Sequence, residues 1–272
     1  MIPAFYSHIY RYALVGAGSW DLLGASSSRE KRSKGNDPDM STLIARLLTI
    51  QQELAIELQR FILLWRYQSH VPPFALWWRL VLKRCIDVVG AATGLMVTAP
   101  ILPLIALVIK VDSKGPAFYF QERVGRFGGI FRMYKFRTMF VDAEARGPVW
   151  AGGEEDTRLT RCGRFLRRTH LDELPQFLNV LKGDMSLVGP RPERPCFVHD
   201  LHGSIPRYDQ RLLIKPGMTG LAQVHYRYDQ SLADVRRKLR FDLLYVKRMC
   251  LTLDARILAW TLLVVVTGRG IR

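Results

Sequence analysis

The stretch of sequence that decides the fold is IDVVGAATGLMVTAPILPLIALVI, residues 86–109, in which Asp87 is the only charged side chain. Drawn as a straight helix rising about 1.5 Å per residue, it would be about 36 Å long, which is enough to span a bilayer. Pro100 and Pro103 lie past the middle of the stretch. Because each proline removes a backbone donor and bends a helix, we predict that this helix breaks at Ala99-Pro100.

Basic residues flank the apolar stretch on both sides. Lys83 and Arg84 precede it, and Lys110 and Lys114 follow it. Under the positive-inside rule, both ends prefer the cytoplasmic side of a membrane. A helix that enters the bilayer, breaks and returns to the same face satisfies both the prolines and the charges. We therefore predict a re-entrant membrane hairpin over residues 81–114, ahead of two alternatives, a single transmembrane span and a buried core helix.

The predicted break leaves backbone carbonyls without helical partners inside the apolar region. In lipid, such groups must find their hydrogen bonds within the protein. Thr98 and Thr93 carry hydroxyls that can contribute to this.

The sequence before the hairpin divides into two parts. Residues 1–40 include the polar run GASSSREKRSKGNDPD (24–39), which is typical of a disordered segment. Residues 41–80 are predicted to form a helical extension, because nine of ten positions at i, i+3, i+4 spacing between 44 and 65 are apolar. Its amphipathic helix is expected to pack against the rest of the protein or a second copy in a homodimer, or to lie on a bilayer surface.

The sequence after the hairpin, residues 115–272, has the composition of a soluble domain. Residues 118–139 alternate aromatic and basic side chains around Gly125 and Gly129, which predicts a small β-hairpin. These glycines lack the spacing of a dinucleotide or P-loop motif. Helical patterns cover residues 159–181 and about 231–248. The predicted fold class is α+β and mostly helical, in a monotopic membrane protein whose soluble domain is cytoplasmic.

The composition restricts the partners and the compartment. Forty Lys and Arg against 24 Asp and Glu give a formal net charge of +16. This excess implies an anionic partner, whether nucleic acid, an anionic membrane surface or a phosphorylated substrate. The four cysteines lie far apart without C-x-x-C spacing, which fits reduced thiols and gives no support for a structural zinc site. No secretory signal pattern follows Met1.

An adjacent acid pair, Asp172 and Glu173, lies within HLDELPQ (170–176), in the most basic part of the chain. The basic residues around it are Arg158, Arg161, Arg164, Arg167, Arg168, Lys182, Arg191 and Arg194. Taken alone, such a cluster is typical of a solvated helix face with ion pairs at i, i+4 spacing. A nucleic-acid patch is a second interpretation, although the sequence has no recognisable docking motif.

The chemistry of these groups favours a third interpretation. Adjacent helix residues differ by about 100° in direction, so Asp172 and Glu173 cannot both point into one core. Flanking arginines favour the ionised form, and an ionised carboxylate is a candidate nucleophile toward phosphorus or a ligand for Mg²⁺. Arginines bind phosphate oxygens in bidentate fashion, and the stiff GPRP turn (189–192) would aim Arg191 at one place. A membrane segment beside such a site suggests a lipid phosphate as one substrate.

Four motifs together resemble a known family. They are Lys83-Arg84 before the broken apolar stretch, KFRTM (135–139), RRTHLDELPQFLNVLKGDMSLVGPRP (167–192) and KPGMTGLAQV (215–224). From about residue 83 to the C-terminus, the sequence is similar to the bacterial sugar transferases. These are monotopic phosphoglycosyl transferases that start the assembly of exopolysaccharide, capsule, O-antigen and glycoprotein glycans at the inner membrane.

The resemblance implies a reaction and a set of site residues. A member transfers a sugar phosphate from a UDP-sugar to a polyprenyl phosphate, normally undecaprenyl phosphate, and releases UMP. Asp172 matches the nucleophile that forms a phosphosugar-aspartyl intermediate, and Glu173 matches the second acid at the Mg²⁺ and phosphate site, so both are candidate metal ligands. Arg191 matches an arginine that binds nucleotide phosphate, and Arg168 and Arg158 are further candidates for binding substrate phosphate.

The sequence departs from the family pattern in two places. The familiar helix break is Ser-Pro, and here it is Ala99-Pro100, so the role of the serine hydroxyl is missing or moved to Thr98. Large members carry several N-terminal spans, and residues 1–80 show none. The alternative function is a non-catalytic, basic, membrane-surface binding protein of the same descent. Nucleic-acid binding is not expected, because it leaves the broken apolar hairpin unexplained.

Overall fold

The amphipathic helix predicted before the hairpin is present. The computed structural model describes residues 40–145, 156–226 and 232–267, and the chain divides into two compact units between His70 and Val71. In the first unit, helix α1 covers Met40–Tyr67 and exposes many of its leucines and isoleucines. The segment 1–39, for which disorder is expected, lies outside the described residues.

Two helices joined at a sharp bend occupy the predicted hairpin. Helices α2 (Pro73–Thr98) and α3 (Ile101–Asp112) are bent by 60° at Ala99-Pro100, which confirms the predicted break. The Thr98 hydroxyl donates to the main-chain oxygen of Gly94 at 2.7 Å, so a threonine supplies a hydrogen bond beside the break. Helix α2 is continuous across residue 80, where the sequence placed a segment boundary.

The bent pair carries a large apolar surface. Within the described ranges, no one helix has the length and hydropathy that a membrane crossing needs, and α2 and α3 reach them only together. Their most exposed apolar side chains are Phe74, Val89, Met96, Val97, Leu104, Leu107 and Val111. An apolar surface of this extent is typical of contact with a membrane or a protein partner.

The β-hairpin is confirmed. Strands β1 (Phe118–Val124) and β2 (Ile130–Phe136) pair antiparallel in the register that sets Phe118 opposite Phe136. A short 3-10 turn joins them, with Phe127 at a φ of 56° and Gly128 at 82°. Both φ values are left-handed. Glycine adopts such values without strain, so Gly128 fits this turn.

The prediction of one helical stretch over residues 159–181 is wrong, because the segment forms three short elements. Helix α4 (Arg161–Thr169) ends at His170, whose φ of 58° is left-handed and cannot continue a right-handed helix. A 3-10 turn (Leu171–Gln176) with Pro175 inside it follows, and helix α5 (Phe177–Lys182) completes the segment. The acid pair therefore lies on a turn between two helices.

The remaining elements include one that sequence reasoning missed. They are α6 (Pro195–Ser204), a 3-10 turn (Tyr208–Leu213), α7 (Leu221–His225), α8 (Leu232–Arg248) and α9 (Leu251–Thr267). The helix predicted over 231–248 is α8. Unpredicted was the parallel pairing of β3 (Ser186–Val188) with β4 (Gly217–Thr219). A Cβ atom on Gly217 would lie 2.1 Å from the main-chain nitrogen of Gly189, so only glycine permits this approach.

Both helices of the bent pair pack on the segments that carry the acid pair. Behind α3, a buried core cluster joins it to β2 and α4, and its members are Ile105, Ile109, Ala117, Phe136 and Leu166. On α2, the buried carboxylate of Asp87 accepts hydrogen bonds from the Ser186 hydroxyl at 3.0 Å and from the Leu187 main-chain N–H at 2.9 Å. The position of the acid turn is therefore tied to the apolar hairpin.

Candidate active site

The acid pair lies on the 3-10 turn that His170 and α5 enclose. Side chains of successive residues in a 3-10 helix point about 120° apart, so the two carboxylates take different surroundings. Asp172 is 6% exposed, and the Glu173 side chain is 14% exposed. The α5 residue Asn179 ties this segment to β2, because its side chain accepts from Tyr134 N at 2.9 Å and donates to Arg132 O at 2.7 Å.

Glu173 is held by two cations. Its Oε1 atom lies 2.9 Å from Lys135 Nζ and 2.6 Å from Arg191 Nη2. Burial alone would raise the pKa of Glu173, but Arg191 and Lys135 outweigh it and hold the pKa well below its usual range. The Glu173 carboxylate in turn raises the pKa of Arg191. Glu173 is therefore ionised and locked between strand β2 and the GPRP turn.

Asp172 has the opposite environment. Burial raises its pKa, while Lys135 opposes that shift and Glu173 adds to it. Within the described ranges, no side chain forms a hydrogen bond or an ion pair with the Asp172 carboxylate, which lines a cavity. Two neighbouring carboxylates thus have pKa values pushed apart, a pattern that clusters at functional sites.

The two acids differ in their fit to a magnesium ion. Mg²⁺ is commonly bound through one or two carboxylates together with substrate phosphates. The Asp172 carboxylate faces the cavity and fits that requirement. The Glu173 oxygens are taken by Lys135 and Arg191 in this structure, so Asp172 is the better candidate ligand. Among the described residues, no group of three or more His, Cys, Asp or Glu side chains forms a metal cluster.

The GPRP turn is anchored from both sides. Arg211 Nη2 donates to the main-chain oxygen of Arg191 at 2.8 Å, and it also lies 2.9 Å from Asp242 on α8. From the β1 side, Arg123 Nη1 donates to the main-chain oxygen of Pro192 at 3.0 Å. These contacts anchor the turn whose Arg191 guanidinium lies against Glu173.

The other two predicted phosphate-binding arginines line the same cavity. Arg168 is exposed near the end of α4. Arg158 is already paired with Asp156, from Nε to Oδ1 at 2.8 Å and from Nη2 to Oδ2 at 2.6 Å. Arg194 and Tyr226 also line the cavity.

Three side chains of this arrangement were not singled out from the sequence. Lys135 lies in the aromatic and basic alternation of β2 and opens the KFRTM motif of the family resemblance, but it was given no role in the site. Arg211 and Asp242 lie far apart in sequence and are joined only by the fold. A lysine flanked by aromatic residues in a strand near a buried acid is a signal that could have found Lys135. No local pattern marks Arg211 or Asp242.

The cavity has a volume of about 1390 Å³ and a mixed lining of polar and apolar side chains. Its polar lining residues include Tyr119, Gln121, Arg123, Glu144, Arg158 and Arg194. Its apolar lining residues include Phe177, Leu187, Ala222, Leu239, Leu258 and Leu262. Asp172, Glu173 and Arg191 line the same cavity. This size exceeds that of a typical single small-molecule site, which is about 300–1,000 Å³.

These features define a class of site. The buried Asp172 carboxylate has no ion-pair partner, and it lies beside Glu173, which is ionised and paired with two cations. Lys135, Arg191 and Arg167 supply positive charge around both acids. Three cations act on two carboxylates, so the cluster attracts anions even when both acids are ionised. This arrangement can bind a phosphate group close to the Asp172 carboxylate, next to the apolar hairpin formed by α2 and α3.

Comparison with known proteins identifies the family. The sequence model of the bacterial sugar transferases matches residues 78–268, so the chain belongs to the bacterial sugar transferase family. This confirms the resemblance drawn from the motifs.

Several relatives are similar over most of the matched region. The UDP-N-acetylgalactosamine-undecaprenyl-phosphate N-acetylgalactosaminephosphotransferase of Aeromonas hydrophila is 41% identical over 191 residues, which are 70% of this chain and 45% of the relative. The exopolysaccharide production protein PSS of Rhizobium leguminosarum bv. phaseoli is 40% identical over 201 residues, 70% of this chain and 98% of the relative. The UDP-glucose:undecaprenyl-phosphate glucose-1-phosphate transferase of Caulobacter vibrioides is 42% identical over 182 residues, which are 66% of this chain and 67% of the relative. The chain thus spans less than half of the first relative's length and nearly all of the second's.

Proposed function

We propose that this protein transfers a sugar phosphate from a UDP-sugar to a polyprenyl phosphate, such as undecaprenyl phosphate, and releases UMP. The observation that carries the proposal is the placement of Asp172, which lines a cavity with both polar and apolar lining residues while Glu173 beside it is held by Lys135 and Arg191. The relatives' names support it, because they describe UDP-sugar donors and an undecaprenyl phosphate acceptor.

In the first step, an Asp172 oxygen attacks the β-phosphorus of the donor. The bond from that phosphorus to the bridging oxygen breaks, UMP leaves with the bonding electrons, and the sugar phosphate remains on Asp172 as an acyl-phosphate. In the second step, a phosphate oxygen of the lipid acceptor attacks the same phosphorus. The bond to Asp172 breaks, and the ionised carboxylate returns.

The neighbouring groups prepare Asp172 for this chemistry. Lys135 and Arg191, fixed on Glu173, supply positive charge that opposes the effect of burial on Asp172 and favours binding of a diphosphate. Arg168 adds positive charge along the cavity, and Arg158, whose charge is paired with Asp156, also lines it. A Mg²⁺ ion bound at Asp172, with Glu173 as a second ligand only if its ion pairs open, would neutralise phosphate charge.

The proposed location is the bacterial inner membrane, with α2 and α3 embedded from the cytoplasmic face. The bend at Ala99-Pro100, the exposed apolar side chains of both helices and the basic flanks support this arrangement. Single cysteines introduced at Lys83 and at Lys114, in a variant without the native cysteines, can be labelled in spheroplasts and in inverted vesicles. Labelling of both only from the cytoplasmic side is expected, and labelling from opposite sides would contradict a re-entrant hairpin.

The activity is tested by UMP release over a panel of UDP-sugars, with and without undecaprenyl phosphate. In the absence of acceptor, a burst of UMP equal to the enzyme concentration is expected, and intact mass measurement should show one sugar phosphate on the protein. Asp172→Asn should abolish both signals. The matched control is Asp200→Asn, which changes an exposed acid on α6. Absence of UMP release with every donor would favour the non-catalytic membrane-binding alternative.

A further inference from the structure

Helix α1 (Met40–Tyr67) precedes the region that matches the family, which begins at residue 78. All residues from 44 to 59 are exposed, the apolar side chains as well as the polar ones. An amphipathic helix normally buries its apolar face against another element. Among the residues that the structure describes, none covers this face of α1, so it is available to a partner.

The apolar face of α1 has the spacing of a coiled coil. Its residues follow one another at alternating intervals of three and four, and we call the following five the seam: Ile44, Leu47, Gln51, Leu54 and Leu58. The four apolar members are each at least 51% exposed. In a heptad, Ile44 takes position a, and Leu47 and Leu54 take position d. Isoleucine at a with leucine at d favours two parallel strands.

The charge of α1 distinguishes a second copy from a bilayer surface as the partner. A helix that lies on an anionic bilayer is rich in lysine and arginine on its polar face. Although the whole chain has a net charge of +16, α1 carries three arginines and two glutamates, which are Arg46, Arg60, Arg66, Glu53 and Glu57. A nearly balanced helix in a strongly basic chain does not match anionic lipid. Two such helices can approach each other without strong repulsion.

Gln51 determines the direction in which two copies would pair. In a parallel pair, position a meets position a, so the two Gln51 amides lie opposite each other and can form a hydrogen bond. In an antiparallel pair, position a meets position d, and each Gln51 would face Leu54 of the second copy. A buried amide without a hydrogen-bond partner is costly. The polar residue of the seam therefore favours the parallel arrangement in register.

We propose that α1 is a dimerisation helix, which pairs with α1 of a second copy of this chain as a parallel, two-stranded coiled coil along the seam. The 28 residues of α1 correspond to four heptads and a length of about 42 Å. Pairing buries the exposed leucines of both copies, and Gln51 sets their register. This inference goes beyond the proposed transfer reaction and does not depend on it.

Cysteine cross-linking of the full chain in membranes tests the seam, in a variant without the native cysteines. A parallel pair brings the two copies of residue 47 close enough for a disulfide, so Leu47→Cys should form a covalent dimer under mild oxidation. The matched control is Ile56→Cys, because Ile56 is also exposed but lies on the face of α1 opposite the seam. It should remain a single chain on a denaturing gel.

Three results of this experiment would overturn the proposal. Equal cross-linking at both positions would indicate random collision in the membrane. No cross-linking at either position would indicate that α1 lies on the bilayer or binds another protein. A disulfide that forms only in a mixture of Leu47→Cys and Leu58→Cys chains would show an antiparallel pair.

The association of the full chain in detergent gives a second measurement, by light scattering over a range of concentrations. Leu54→Arg should raise the Kd of the dimer at least about tenfold, because burial of one leucine contributes about that change. Ile56→Arg, the matched control, should leave the Kd within about twofold. Both side chains are exposed in the single chain, so both variants should fold, which thermal unfolding checks. An unchanged Kd in folded Leu54→Arg would contradict the seam.

Discussion

The Nη2 atom of Arg211 donates a hydrogen bond of 2.8 Å to the main-chain oxygen of Arg191, so a residue twenty positions along the chain holds the GPRP turn. The same Nη2 atom pairs with Asp242 at 2.9 Å, and both side chains are at least nine-tenths buried. Arg211 Nη1 also donates to the Tyr208 hydroxyl at 2.8 Å. The Arg211 guanidinium thus connects α8 and the 3-10 turn at 208–213 to Arg191, which forms an ion pair with Glu173.

Arg211→Lys is predicted to weaken binding of the donor. A lysine keeps the charge opposite Asp242, but its single ammonium lacks the planar fork that reaches Arg191 and Tyr208 together. We expect the KM for the UDP-sugar to rise about tenfold, as for the loss of about 1.4 kcal/mol, with a smaller change in kcat. UMP-release kinetics measure this. Arg237→Lys, an exposed α8 arginine, is the control, and an unchanged KM in folded Arg211→Lys would show that the turn does not depend on Arg211.

The two acids are predicted to affect stability in opposite directions. Asp172→Asn removes a buried carboxylate that has no ion pair, so we expect it to raise the free energy of unfolding by about 1 kcal/mol while abolishing the UMP burst. Glu173→Gln leaves Lys135 and Arg191 without their shared counter-charge, and we expect a loss of about 3–5 kcal/mol. Thermal unfolding in detergent distinguishes them. A destabilised Asp172→Asn would contradict the assignment of Asp172 as a functional, rather than structural, acid.

Gly94→Ala is predicted to destabilise the protein although alanine favours helices. Its Cβ atom would lie 2.6 Å from Phe177 Cζ, which forces the ring or the helix to move at a cost of about 1–3 kcal/mol. Gly203→Ala on α6 is the matched control, because nothing lies within 4 Å of its Cβ position. There the substitution should be neutral or stabilising. Equal unfolding temperatures for the two variants would mean that α2 and α5 are not packed this closely.

The left-handed residue before the acid pair is predicted to accept glycine but not a β-branched residue. At a φ of 58°, His170→Val should cost about 1–2 kcal/mol from the clash of its side chain with the backbone. His170→Gly should lose little, because glycine adopts this conformation freely. The free energies of unfolding of the two variants measure the difference. Equal losses in both would show that contacts of the imidazole, and not the backbone conformation, matter at this position.

Much of this protein could be predicted from local patterns. The break at Ala99-Pro100 follows from proline chemistry, and the β-hairpin follows from alternation around glycines. The helices α1 and α8 follow from apolar spacing, which depends only on helical geometry. The importance of Asp172, Glu173 and Arg191 was predicted from their residue types and from motifs that identify the family.

Other features depend on contacts between residues distant in sequence. His170 ends α4 although no glycine or asparagine marks a helix end there, so the acid turn was missed. The β3–β4 pair exists only because Gly189 and Gly217 come together in the fold. No spacing rule relates Glu173 to Lys135, or Arg211 to Asp242.

The sequence by itself determined the broken apolar hairpin, the family and the acid pair, because periodicity, proline chemistry and residue type act locally along the chain. Only the tertiary structure decided the different environments of the two acids. Lys135 and Arg191 converge on Glu173 from separate elements, and burial without an ion pair falls on Asp172. The pKa of a carboxylate depends on the burial and the charges around it in space. Two carboxylates adjacent in sequence therefore have opposite environments that the neighbouring residues in the sequence do not reveal.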